Sequence, residues 1–161
     1  MITVVSNTGP LIALARINKL DLIKRYFDEI RIPREVYEEI CIRGKERPGS
    51  KEVKDAKWIR TIEVRDKFAV ELLLKGLNKG EAETVVLAKE LNASLVLMDE
   101  RIPRETLELL GFSITGTVGI LIRAANDGLI GMKESLDGLR KKGFWMSDEL
   151  YSRALRMGGE K

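Results

Sequence analysis

The chain has 161 residues, a third of them charged, with 28 Lys+Arg against 25 Asp+Glu for a net charge of +3, one Cys and no His. That length suits a single domain. The missing imidazole excludes Ser–His and Cys–His catalytic pairs and the usual zinc sites, and a lone Cys41 excludes an intramolecular disulfide. The charge balance permits contact with phosphates without arguing for it. A Lys/Glu-rich, glutamine-free composition resembles that of a thermophile's protein. No run approaches the ~20 apolar residues of a membrane span, and the amino terminus has no basic region leading a long apolar core, so a cytoplasmic protein without a membrane partner is expected.

In chain order, Ile2 to Ser6 is a short β-branched run, and Gly9-Pro10 behind it turn the chain into a helix with Pro10 at its first position. Asn7 falls at the junction, where an N-cap or turn residue is an equally good reading. A helix around Leu20 to Phe27 leads to a segment Glu29 to Ile32, and Pro33 starts another helix whose inward stripe is Val36, Ile40 and Cys41. Glu39 lies at the edge of that stripe; a surface Glu is more often solvated than a ligand. Arg43 to Ser50 reads as a mobile loop or hairpin tip, Trp58 to Val64 as an edge strand, and Phe68 to Leu74 as a short helix.

The stretch Asn78 to Arg104 organises the rest. Asn78 with Glu81 three residues on is a helix-start signature, Ala82, Val85, Val86 and Leu91 recur at helical spacing, and the helix stops near Asn92. Leu95 to Met98 is an unbroken apolar run, as in a parallel strand covered on both faces. Asp99 and Glu100 follow it, and in open α/β sheets ligands bind outside the carboxyl ends of the strands. A Leu-rich helix then ends at Gly111, Phe112 to Ile114 is a brief strand, and Val118 to Ala125 a helix. This alternation predicts a doubly wound α/β fold. Met132 to Lys142 and Ser147 to Met157 read as amphipathic helices covering one face of the sheet or forming a dimer contact. The division expected is 1–128 for the α/β domain and 129–161 for a helical extension of it. A nucleotide-binding P-loop is absent, and no G-x-G-x-x-G follows Val5.

The blocks VVSNTGPLIAL, IPREVYEEI, KGEAETVVLAKEL, VLMDERIPRE and ITGTVGILIRA, in this order over about residues 2 to 125, resemble the PIN-domain nucleases, most closely the small prokaryotic proteins of the DUF3368 type. The resemblance implies an α/β/α sandwich around a central parallel sheet, here with extra C-terminal helices. It also implies a metal-dependent ribonuclease acting on RNA with Mg²⁺ or Mn²⁺, of a kind that includes the toxins of toxin–antitoxin pairs. An antitoxin protein and a second copy of the chain are the partners expected on that basis.

Carried over block by block, the acidic cluster falls on Asn7, Glu39, Glu81 and Asp99, with Asp99 and Glu81 holding the metal and Glu39 completing its surroundings or orienting water. Thr8, Thr115 and Thr117 would add hydrogen bonds around it, and Lys79, Arg101 and Arg104 would hold phosphates. Asn7 departs from the Asp usual in this family, and a neutral carbonyl binds a hard cation less well than a carboxylate. It is compatible with a weakened enzyme, with a three-carboxylate site in which Asn7 holds the metal or its water, and with an engineered inactive variant. The alternative function is a PIN-like RNA- or protein-binding module without turnover. Each residue also has a purely structural role available: Glu81 closing a capping box on Asn78, Asp99 capping the helix after its strand, Arg104 pairing with Glu108.

Overall fold

The computed structural model describes residues 2–160, so the first and last residues of the expected 1–128 and 129–161 segments lie outside the described residues. The chain begins β1 (Val4–Ser6), α1 (Thr8–Arg16), α2 (Asp21–Phe27), β2 (Ile30–Pro33) and α3 (Arg34–Tyr37), which runs on into a π-helical stretch, Glu38–Arg43. It continues through α4 (Ser50–Asp55), β3 (Ile59–Ile62), α5 (Lys67–Leu73), α6 (Lys79–Leu91) and β4 (Leu95–Leu97). The remainder is α7 (Arg101–Leu109), β5 (Ile114–Thr115), α8 (Thr117–Asn126), α9 (Met132–Lys141) and α10 (Asp148–Met157).

The strands form one parallel sheet in the order β3-β2-β1-β4-β5, with Val5 level with Val96 and Leu97 level with Thr115. Neighbouring residues of a strand point to opposite faces, and both faces are covered. Val4, Ile32 and Leu97 pack with Leu11 and Leu14 of α1 and Leu121 of α8, whereas Val5, Val96 and Met98 pack with Val85 of α6, Val70 of α5 and Leu107 of α7. The strand order reverses between β1 and β4, and that reversal opens a crevice at their carboxyl ends.

The turn signals act much as expected. Asn92 ends α6 with φ 50°, Gly111 and Gly128 follow α7 and α8 with φ 87° and 75°, and Ser147 caps α10 through the Leu150 N–H at 3.0 Å. Two expectations are corrected. α1 starts at Thr8, so Pro10 is its third residue, still in the first turn, where a missing N–H costs no helical bond. The stretch read as a loop from Arg43 to Ser50 is shorter, because Ser50 opens α4, whose Val53 joins the core and whose Glu52 bonds back to the Gly49 N–H at 3.2 Å. The tail helices form a further layer whose Met132, Leu136, Leu139 and Ala154 share the core of α1 and α8. Arg140 ties them together, stacking at 4.2 Å on the Tyr151 ring and pairing with Asp148 at 3.0 Å.

Candidate metal centre

Asn7 takes the N-cap position of α1, but its side chain makes no cap bond. It is instead buried at the sheet's end, only 4% exposed. Its Nδ2 donates to Glu100 Oε2 at 3.4 Å and faces the Met98 sulfur at 3.3 Å. The Thr84 hydroxyl lies 3.3 Å from Asn7 Oδ1 but only 2.7 Å from the Gly80 carbonyl, four residues back on α6. A hydroxyl has one proton, so the shorter bond claims most of it and Asn7 Oδ1 stays weakly engaged.

Glu39 reaches the same crevice from the π-helical stretch after α3. The Thr8 hydroxyl donates to its Oε2 at 2.8 Å. Its carboxylate lies against Gly80 in the first turn of α6, so closely that a Cβ there would sit 2.2 Å from Oε1. The backbone dipoles at that helix start favour a negative group. Burial nevertheless pushes the Glu39 carboxyl above its ordinary value, the Thr8 bond opposes this, and the nearby charges of Glu35 and Glu81 add to it.

Asp99 follows β4 and is held from the far side. The Thr117 N–H donates to Oδ1 and the Thr117 hydroxyl to Oδ2, both at 2.7 Å, so Asp99 caps α8 rather than the helix that follows its own strand. Gly116 allows this approach, since a Cβ there would lie 2.6 Å from Oδ1. Burial raises the Asp99 carboxyl, while the Thr117 bonds and the Arg104 charge pull it down. Glu100 is also raised, first by desolvation and further by Asp99 and Glu81, with the Asn7 bond opposing. Both acids face Gly9, whose Cβ position lies 3.3 Å from Glu100 Oε1 and 3.4 Å from Asp99 Oδ2.

The contacts close a ring, from Glu100 through Asn7 and Thr84 to Gly80, then through Glu39 to Thr8 and back to the Asp99–Glu100 pair at Gly9. Among the described residues none of Glu39, Glu81, Asp99 and Glu100 is in an ion pair. The donors that meet here are oxygens, the chemistry that suits Mg²⁺ or Mn²⁺. As placed, among the described residues, no three His, Cys, Asp or Glu side chains lie close enough to share one ion. An ion would have to be held by fewer carboxylates, the Asn7 carbonyl and water, which is the usual manner of Mg²⁺.

The other expected residues divide. Glu81 does close the box, its Oε1 accepting the Asn78 N–H at 3.0 Å, so one of its oxygens is engaged while its charge borders the crevice. Thr115 contributes its carbonyl to the Met98 N–H at 3.0 Å and has no contact with the acids. Arg104 does not pair with Glu108; its Nη1 donates to the Met98 carbonyl at 2.7 Å. Lys79 pairs with Glu35 at 3.7 Å, its own end exposed and the glutamate largely covered, and Arg101 pairs with Glu105 at 3.6 Å in an exposed pair that solvent exchanges easily.

Two further residues escaped the sequence reading. Glu100 touches Asn7 as described above. Glu83, only 6% exposed, accepts the Glu35 N–H at 3.0 Å and so caps the start of α3, the helix that leads to Glu39. Two acids in the G-E-A-E run were visible, but not that the first serves its own helix and the second another.

No helix among the described residues is long and apolar enough to cross a membrane. No curated protein matches the chain. The model of one family, DUF3368, described as a PIN domain, matches residues 3–160, which takes in the crevice and the tail helices. The strand order, the acids at the switch point and this match over nearly the whole length agree: the chain belongs to the PIN-domain family.

Proposed function

We propose that the crevice is the active site of an endoribonuclease that hydrolyses RNA phosphodiesters with Mg²⁺ or Mn²⁺. The observation that supports it is the ring that Glu39 closes with Asn7, Asp99 and Glu100 at the carboxyl ends of β1 and β4, whose acids, among the described residues, form no ion pair and whose carboxyls burial raises above their ordinary values. Such groups are costly to gather, since two carboxylates ~4 Å apart repel by about 4 kcal/mol at an effective dielectric of 20.

Asp99 and Glu100 would hold the ion, with the Asn7 carbonyl or a water it orients beside them and Glu81 adding charge from α6. When bound, the ion lowers the pKa of water and offsets the negative charge that grows on the phosphate. Thr117 fixes the Asp99 carboxylate and Thr8 fixes Glu39, so neither must reorganise as charge develops. Glu39, with its raised carboxyl, orients the attacking water and takes its proton. Arg101 and Lys79 leave their surface pairs for phosphates along the strand, and Arg104 stiffens the turn that carries Asp99.

The test is cleavage of a mixed-sequence RNA by the wild type, Asn7→Asp and Asp99→Asn in Mn²⁺, Mg²⁺ and EDTA. Metal-dependent cleavage that Asp99→Asn abolishes and Asn7→Asp preserves or raises is the expected result. The neutral Asn7 favours a second reading, a PIN-like module that binds RNA or protein without turnover; binding without cleavage by any of the three proteins would establish it. A toxin with an antitoxin partner is the finer form of the first reading, and it predicts that expression slows growth of a host and that Asp99→Asn relieves this.

A further inference from the structure

A cleft of about 940 Å³ lies where the turn from Gly44 to Gly49 joins the π-helical stretch to α4. It shares no lining residue with the cleft that holds Asp99 and Glu100. Lys45, Arg47, Lys51 and Lys54 stand round it, all exposed, and among the described residues none of them is in an ion pair. Its floor is apolar, with Cys41 buried and Ile42, 57% exposed, beside the exposed Pro48. The turn that presents these groups is fixed by its own backbone: the Gly44 carbonyl accepts the Arg47 N–H at 2.9 Å, and the Arg47 carbonyl accepts the Ser50 N–H at 3.1 Å.

Ser50 is an independent sign of a ligand. It is only 6% exposed, yet its hydroxyl makes no hydrogen bond among the described residues. Among those residues no wholly enclosed side-chain oxygen or nitrogen lacks a partner, so this hydroxyl opens onto the cleft it lines and is free for an acceptor from outside. The helix also sorts its charges. Lys51 and Lys54, three residues apart, share the flank beside Ser50, whereas Glu52 and Asp55, also three apart, share the other, where they line a separate cleft with Asp21. Burial pushes the Cys41 thiol up and the Lys54 charge opposes it, as a cation leaning over the floor would. Glu46, Glu52 and Asp55 border the basic cleft as well, but the Glu52 carboxylate is turned to the Gly49 N–H at 3.2 Å.

The positive charge is therefore a spot bounded by acids. A polynucleotide backbone needs a basic groove that it can follow, and across α4 it would meet Asp21, Glu52 and Asp55. A compact ligand with several phosphates needs only the spot, and the volume is that of pockets for whole small molecules. Ile42 and Pro48 offer a flat apolar group a surface beside the charges. We propose that this cleft binds a nucleoside polyphosphate, its phosphates held by Lys45, Arg47, Lys51 and Lys54 with a bond from the Ser50 hydroxyl, and its base laid on Ile42 and Pro48. The site is separate from the candidate metal centre and does not depend on the ribonuclease reading. An RNA backbone carries the same phosphate chemistry, and the experiment separates the two sources.

The probe is ATP, titrated by calorimetry in EDTA so that no ion links it to the acids of the crevice. The proteins are the wild type, Arg47→Ala, Lys51→Ala, Ser50→Ala and, as a control for net charge, Lys24→Ala on α2, exposed and outside the cleft. Arg47→Ala and Lys51→Ala are each expected to weaken ATP about tenfold and Ser50→Ala about fivefold, with Lys24→Ala unchanged. Tripolyphosphate, which lacks the base, is expected to bind about tenfold more weakly than ATP. Thermal melts check the fold, and Ser50→Ala removes a hydroxyl with no internal partner, so its melt should match the wild type. No heat from millimolar ATP with the wild type, or equal affinity in all five proteins, overturns the proposal. Tripolyphosphate binding as tightly as ATP overturns it too, since the floor would then hold no base. A single-stranded RNA of about ten nucleotides that binds through Arg47 and Lys51 and is not displaced by ATP would give the cleft to a nucleic-acid backbone instead. A dimer in sedimentation that Lys51→Ala dissociates would give it to the acidic flank of a second copy.

Discussion

Asn7 donates its side-chain N–H to Glu100 Oε2 at 3.4 Å, so the residue at which the resemblance leads one to expect an acid acts as the hydrogen-bond donor to a neighbouring acid. Asn7→Asp would replace that donor by a like charge. At an effective dielectric of 20 the repulsion at this range is about 5 kcal/mol, and the solvent open to Glu100 reduces it. A loss of about 1–2 kcal/mol is expected in EDTA at pH 7.5, a fall in Tm of roughly 4 °C for a domain of this size. Mn²⁺ should raise the Tm of Asn7→Asp more than that of the wild type, since the added carboxylate binds only when the ion is present. Differential scanning calorimetry with and without Mn²⁺ decides it; equal metal shifts in the two proteins would remove Asn7 from the site.

Gly80 gives a sharper separation of stability from function. In a helix, Gly→Ala ordinarily stabilises by about 0.5–1 kcal/mol. Here the new methyl would meet the Glu39 carboxylate at 2.2 Å, and the carboxylate is the part free to move. Gly80→Ala should therefore melt at the same temperature or slightly higher while Glu39 leaves its bond to Thr8 and metal-dependent RNA cleavage falls at least tenfold. Unchanged cleavage in the folded variant would take Glu39 out of the chemistry.

How much of this was legible follows the range of the interactions. The helix–strand alternation, the Asn78–Glu81 box and the glycine stops are written in residues a few positions apart, and local rules recover them. Asp99 could be placed because a strand end is itself a local feature. Glu100 could not, because its partner Asn7 lies 93 positions away, and Glu83 caps a helix 48 positions away. Composition does not encode such pairs. The widened helical turn from Glu38 to Arg43 also breaks the 3.6-residue spacing on which the face of Glu39 was judged, and so Glu39 read only as lying at the edge of the apolar stripe. Short α4, with Val53 as its one fully buried apolar residue, left too little periodicity to outweigh the Gly-Pro signal before it.

Glu83 should prove structural where Glu39 is chemical. The Glu35 N–H it accepts is at a helix start with no helical partner, and leaving such a donor unpaired in a buried place costs about 1–3 kcal/mol. Glu83→Ala is expected to lower Tm by roughly 6 °C, and Glu83→Gln, which keeps an acceptor oxygen, by much less. If the two variants melt alike, the cap is not what holds α3.

The raised acids fix the sign of a pH effect. Glu39, Asp99 and Glu100 have folded values above those of the unfolded chain, about 3.9 for Asp and 4.3 for Glu. Between the unfolded and the folded values the native state holds more protons, so their contribution is complete below about pH 4 and is lost as pH rises through the folded values. Asp137 and Glu63 act in the opposite sense, each held down first by a hydrogen bond, from Lys133 and Lys67 respectively, and each losing its contribution as pH falls. A comparison with Glu100→Gln cancels those surface pairs. In EDTA, the fall in unfolding free energy from pH 4 to pH 8 should be smaller for Glu100→Gln than for the wild type, by urea titration at each pH. Mn²⁺ competes with the same protons, so its stabilisation of the wild type should be larger at pH 8 than at pH 5. A metal effect independent of pH would mean that the ion binds away from these three carboxyls.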